Sequence, residues 1–169
     1  MNRRYQLVAD CPITLRNGAE ERDREFLAGI FTEVWATIPD EDKAAIRAQA
    51  YGRPDGITID VMPADHMEGF DGLSKPGGDI WLSRNPVDYF PRASVLRIAA
   101  HELAHKVDDA AHAVTIARLS EARRNAERRV ATILNRWGYP TKVQPGEPTQ
   151  ADNERIGANL RAKAQKDKP

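Results

Sequence analysis

One cysteine in 169 residues, Cys11, excludes an internal disulfide, so any stabilisation beyond the core has to come from elsewhere, with a bound metal as the candidate. Charge of one sign is also lacking. The 25 basic and 25 acidic residues cancel, which removes the electrostatic case for nucleic acid or another polyanion as partner. No apolar run reaches the length of a membrane span, and the polar start Met1-Asn2-Arg3-Arg4-Tyr5-Gln6 is followed by no stretch of signal-peptide length. The expectation is a soluble cytoplasmic protein with no membrane partner, or one delivered by a route without a cleaved signal. Repeats and low-complexity tracts are absent. The length suits one domain with a real core, expected over residues 1–148, followed by a C-terminal helix and basic tail over 149–169.

The apolar pattern divides the chain into helices and short strands. A short strand is expected at Tyr5 to Ala9. Phe26, Leu27, Ile30, Phe31, Val34 and Ile38 mark one face of a helix that Pro39 ends, and Asp40 is placed to cap a second helix from Glu41 to Ala50. Ile57, Ile59 and Val61 alternate with Thr58 and Asp60, the period of a half-buried strand. Gly and Pro recur through residues 63–78, which reads as a loop or loose hairpin leading to a strand at Asp79 to Ser83. Pro91-Arg92-Ala93-Ser94 then opens a helix over about 92–110, a further helical pattern runs over about 113–137, and a linker from Tyr139 to Pro148 precedes a last helix from about 151. The class is α+β, with a small twisted sheet packed on the 92–110 helix.

That helix carries His101-Glu102-Leu103-Ala104-His105, an H-E-x-x-H pentad. Four-residue spacing puts both imidazoles on one helical face, a turn apart, where their ring nitrogens can share a tetrahedral Zn²⁺. Glu102 then stands beside the metal, placed to take a proton from an attacking water and pass it to a leaving amine. The same pattern arises by chance as a polar stripe on an amphipathic helix. The context favours the metal: Val95, Leu96, Ala99, Ala100, Leu103 and Val107 form a separate apolar face, and the helix follows the strand-like run Ile80-Trp81-Leu82.

A catalytic zinc needs a third protein ligand. Asp108 shares the helical face, but the rise of about 10 Å from His101 is too great for both to reach one ion. No Gly follows His105 to break the helix, and His112 is one place late for the longer H-E-x-x-H-x-x-G-x-x-H pattern. Asp108 and Asp109 therefore suit hydrogen bonds to an imidazole, or plain solvation. Glu121, Glu127 and Glu154 remain. Glu121 falls on the polar side of its helix, Glu127 borders the apolar stripe of Ala126 and Val130, and Glu154 opens the last helix.

Residues His101 to Ala110, H-E-L-A-H-K-V-D-D-A, resemble the active helix of zincin metallopeptidases of the anthrax lethal factor and Pro-Pro endopeptidase group. That resemblance implies a zincin-like fold, a zinc cofactor and a third ligand at a distant Glu that begins a helix; Glu154, followed by Ile156 and Leu160, has the family spacing. Gly69-Phe70 and Ile80-Trp81-Leu82 look like the group's edge-strand region. Where the group carries a transition-state Tyr about two turns before the ligand, this chain has Glu147, and Tyr139 is the nearby tyrosine. The pentad followed by Ala126-Glu127-Arg128-Arg129-Val130-Ala131 is also similar to phage-associated metallopeptidases that cleave repressors, which implies Glu127 as the ligand instead; residues 155–161 are similar to the opening helix of phage-repressor helix-turn-helix domains. The expected function is a zinc endopeptidase with ligands His101, His105 and Glu154 (Glu127 the alternative), Glu102 as proton shuttle, and a protein or peptide substrate extended along an edge strand at 79–83. The alternative is a catalytically silent zincin-fold adaptor, phage- or toxin-associated, with a structural metal.

Overall fold

A computed structural model of the chain describes residues 5–7, 11, 13–16, 20–75, 78–111, 119–140 and 146–168. Strands β1 (Tyr5–Gln6), β2 (Ile13–Leu15), β3 (Ile57–Met62), β4 (Gly72–Ser74) and β5 (Asp79–Ser83) form one mixed sheet in the order β1-β2-β3-β5-β4. β2, β3 and β5 run parallel, while β1 and β4 pair antiparallel to their neighbours at the two edges. Register puts Ile13 beside Ile57, and Leu15, Ile59 and Ile80 in one row, so these β-branched and aliphatic side chains share one face and are fully buried.

Six helices accompany the sheet among the described residues: α1 (Glu21–Thr37), α2 (Asp40–Ala50), α3 (Arg84–Tyr89), α4 (Arg92–Ala111), α5 (Leu119–Trp137) and α6 (Gln150–Lys166). α4 is central, in contact with α1, α2, α5 and β4. Its apolar face behaves as the spacing requires, with Val95, Ala99, Ala100 and Leu103 all almost fully buried. α5 contributes Val130, Ile133, Leu134 and Trp137 to the same core. Trp137 Nε1 and Arg136 both donate to Asp42 Oδ2, at 2.7 Å and 2.5 Å, which ties the end of α5 to α2. Each of these contacts couples a helix chosen by periodicity to its place around α4.

Several expectations need correction. β5 is an interior strand and not the edge, because the 63–78 segment supplies β4, three residues too short to show a period of two. The same segment holds a short 3-10 turn at Ala64–Met67. α3 and β2 lie in stretches for which the sequence pattern gave no element. Asp40 is the first residue of α2, not its cap; Pro39 takes the cap position with no side-chain bond. The strand expected to run to Ala9 is described only at Tyr5–Gln6, and residues 8–10 lie outside the described residues, as do 113–118 of the expected fourth helical pattern.

Candidate metal centre

His101 and His105 project from the side of α4 that the apolar stripe leaves free, with ring centroids 4.8 Å apart and Nε2 atoms 3.2 Å apart. α5, packed on α4, brings Glu127 to them: Oε2 lies 3.3 Å from His101 Nε2 and Oε1 lies 3.1 Å from His105 Nε2. Three ligand atoms at about 2.0–2.1 Å from a tetrahedral ion lie about 3.3 Å from one another, so the observed spacing fits three of the four positions around such an ion. Among the described residues this is the group of His, Cys, Asp and Glu side chains able to hold a metal ion. Burial holds both imidazoles below their ordinary pKa, and for His105 the neighbouring His101 adds to it, against the pull of Glu127. Neutral imidazole is the form that ligates.

Glu154 is elsewhere. It sits exposed on α6, accepting a hydrogen bond from Gln150 Nε2 at 3.0 Å, while α6 packs on α3. The neighbouring positions fix that placement. Asp152 Oδ1 accepts from the Arg92 backbone N–H at 2.7 Å, Arg155 donates to the Val87 and Phe90 carbonyls, and Asn159 donates to the Asp88 carbonyl at 2.9 Å. Of the expected ligands, His101 and His105 therefore meet the alternative, Glu127, and not Glu154. His112 and the side chain of Glu121 lie outside the described residues. Glu147 is exposed, and the Tyr139 hydroxyl lies 3.4 Å from Thr37 Oγ1 at the far end of α5.

Asp108 does not reach the group but positions it. Its buried carboxylate takes a bidentate pair from Arg129, at 2.5 Å and 2.9 Å, two residues after Glu127. That fork sets the register of α5 against α4, and with it the reach of Glu127. Asp109 is half-buried, and burial raises its carboxyl against the pull of Lys106.

Glu102 is 5% exposed and lies against β4. Gly72 has no side chain there because a Cβ would fall 2.7 Å from Glu102 Oε1. The Ser74 backbone N–H bonds the Glu102 carboxylate, but burial, and then the charge of Glu127, pushes this carboxyl up to about 8. The next residue but three, Lys106, is fully buried and reaches the other way, donating to the Lys75 carbonyl and, at 3.4 Å, to the Asp79 carbonyl, so that α4 holds the end of β4 to the start of β5.

Together these groups floor a cleft of about 400 Å³, whose rim is Glu68, Phe70, Leu73 and Arg123. Glu68 (φ 51°) and Gly69 (φ 85°) are both left-handed, the turn that reverses the chain and delivers Phe70 and β4 to the cleft. Sequence reasoning missed Gly72, Ser74 and Arg123. Arg123 had a usable signal, one helical turn before Glu127; Gly72 had none, because only the fold brings it to Glu102. Comparison of the chain with protein-family models, with curated proteins and with solved structures gave no match.

Proposed function

We propose that the protein is a zinc-dependent endopeptidase of the H-E-x-x-H type, with His101, His105 and Glu127 as ligands. The observation that carries this reading is the convergence of those three side chains at tetrahedral spacing, beside a buried carboxylate that is not one of them. Bound there, zinc would supply Lewis acidity, polarising a carbonyl and making water acidic enough to attack near neutral pH. Glu102 is the proton shuttle. The Ser74 N–H bonds its carboxylate, and from its place beside the two imidazoles on α4 it would accept a proton of the attacking water and return it to the departing amine.

Substrate would lie along β4. Lys75 donates to Asp79 O and Ser83 to Asp71 O, so by the antiparallel alternation the backbone groups of residues 71, 73 and 75 face β5 and those of 72 and 74 face outward. With the Ser74 N–H given to Glu102, an extended peptide can pair with the remaining groups of that outward edge, directly beside Glu102. The decisive experiment is Glu102→Gln: the variant should keep about one zinc per chain and lose hydrolysis of an unfolded protein substrate. Equal hydrolysis by both forms would overturn the mechanism.

One observation favours a second reading, in which the metal stabilises an adaptor that cleaves nothing. No tyrosine lines the cleft among the described residues. A wild-type protein that binds zinc tightly, melts lower on chelation and cleaves no substrate would support it.

A further inference from the structure

A hydrolytic site needs more than a metal and a base: charge develops on the carbonyl oxygen during attack, and a preorganised donor aimed at that oxygen supplies much of the acceleration. Three carboxylates, Glu68, Glu102 and Glu127, and the two imidazoles line the cleft, none of them a fixed cation. Arg123 is the one guanidinium in the lining. It stands on α5 one turn before Glu127, so the helix that delivers the third ligand also delivers this side chain to the same face. Its Cζ lies 4.9 Å from the centroid of the Phe70 ring, a cation–π contact on the exposed rim of the cleft. Among the described residues no carboxylate forms an ion pair with it, in contrast to Arg129 and Arg136 on the same helix, which are committed to Asp108 and Asp42. A planar donor stacked on a ring beside three ligand side chains, and without an acid of its own, is placed for an anionic oxygen that arrives with the substrate.

We propose that Arg123 is the residue that receives the developing oxyanion, with Phe70 as the positioning residue that holds it; this rests on the endopeptidase reading. As the water oxygen bonds to the carbonyl carbon, the carbonyl π pair moves onto its oxygen, where Arg123 donates N–H hydrogen bonds, and Glu102 takes one water proton. Collapse returns the pair to the carbonyl, breaks the C–N bond, and Glu102 gives its proton to the amine nitrogen, leaving a carboxylic acid and an amine.

The test compares two synthetic inhibitors with identical side chains on the zinc-loaded full chain: a phosphinic peptide, whose tetrahedral anionic group imitates the attacked carbonyl, and a planar hydroxamate. In calorimetry Arg123→Ala should weaken the phosphinic peptide by about 100-fold or more and the hydroxamate by less than about threefold, as expected for loss of one donor to an oxyanion. Arg123→Lys should recover part of that loss, and Phe70→Leu should show the same selectivity on a smaller scale. In turnover, Arg123→Ala should lower kcat with little change in KM. Parallel weakening of both inhibitors, no weakening of either, or loss of zinc from the variant would overturn the assignment. Failure of the endopeptidase reading looks different: a wild-type chain that binds zinc and the phosphinic peptide but hydrolyses nothing refutes that reading while the inhibitor comparison still decides Arg123, and a wild-type chain that takes no zinc refutes both.

Discussion

A methyl group at position 72 would meet Glu102 Oε1 at 2.7 Å and its Cγ at 2.9 Å. Glu102 is buried and has little room to yield, so Gly72→Ala should displace the carboxylate or push β4 outward. Overpacking of this kind costs about 1–3 kcal/mol. The expected outcome is a folded protein with a lower Tm that retains zinc, because no ligand is touched, and loses hydrolysis; hydrolysis at the wild-type rate would mean that Glu102 does not need its present seat. The ligand assignment is tested at the same scale. Glu127→Ala should weaken zinc by well over the 10 to 100-fold typical of outer-shell partners, whereas Glu154→Ala should leave it unchanged, since that carboxylate is exposed and bonded to Gln150. Zinc titration of the two variants checks this, and the reverse pattern would return the third ligand to α6.

Between elements, the candidate metal centre depends on how α5 is seated on α4. Arg129 and Asp108 join α5 to α4 through a buried carboxylate, and removing the guanidinium would leave that charge short of its main partner. Arg129→Ala should therefore lower both stability and zinc affinity, the latter by roughly 10 to 100-fold, as for residues that orient a ligand without touching the metal. Zinc binding at wild-type strength would show that Glu127 needs no such clamp. At the other end of α4, Asp152 serves two helix N-termini at once. Its Oδ1 takes the Arg92 N–H of α4, and its Oδ2 closes the capping box of α6 with Thr149. Burial pushes this carboxyl up, but the bonds from Arg92 and Thr149, with Arg155 nearby, outweigh it and hold the pKa below the ordinary value. Because the folded pKa is the lower one, the unfolded chain binds more protons across the interval, and the contribution to stability is complete above the unfolded value of about 3.9 and lost as pH falls through the folded pKa. Thermal melts of wild type and Asp152→Asn should differ most near neutrality and converge under acid conditions. A difference that persists unchanged into strong acid would show that the carboxylate charge is not what docks α6.

For the whole molecule, a ligand that binds only the folded chain adds RT ln(1 + [L]/Kd), about 2.7 kcal/mol at 100 times Kd. With about 2–4 °C of Tm per kcal/mol at this size, chelation of zinc-loaded protein should lower Tm by roughly 5–11 °C, and an unchanged melt would sever metal from fold. How much of this was legible in the sequence depends on the range of the interaction. The α4 core stripe and the two imidazoles a turn apart follow from helical period alone, which is a property of neighbours in the chain, and the buried Val95, Ala99 and Leu103 lie where that period puts them. The strands β3 and β5 were likewise visible in their apolar content, though not their parallel pairing. β4 was not, because three residues carry no period, and its identity as an edge comes only from pairing with β5. The family resemblance favoured Glu154, which is followed by Ile156 and Leu160 at the family spacing, yet it could not say which helix would lie on α4. That choice belongs to α5, whose Val130, Ile133, Leu134 and Trp137 join the core while Arg129 locks to Asp108. The sequence by itself determined the two imidazoles a turn apart, the carboxylate beside them and the helix that carries all three, since these are local. Only the tertiary structure decided that Glu127 joins the two imidazoles, that β4 is the edge strand and that Arg123 lines the cleft, because each depends on which distant segments bury apolar surface against α4.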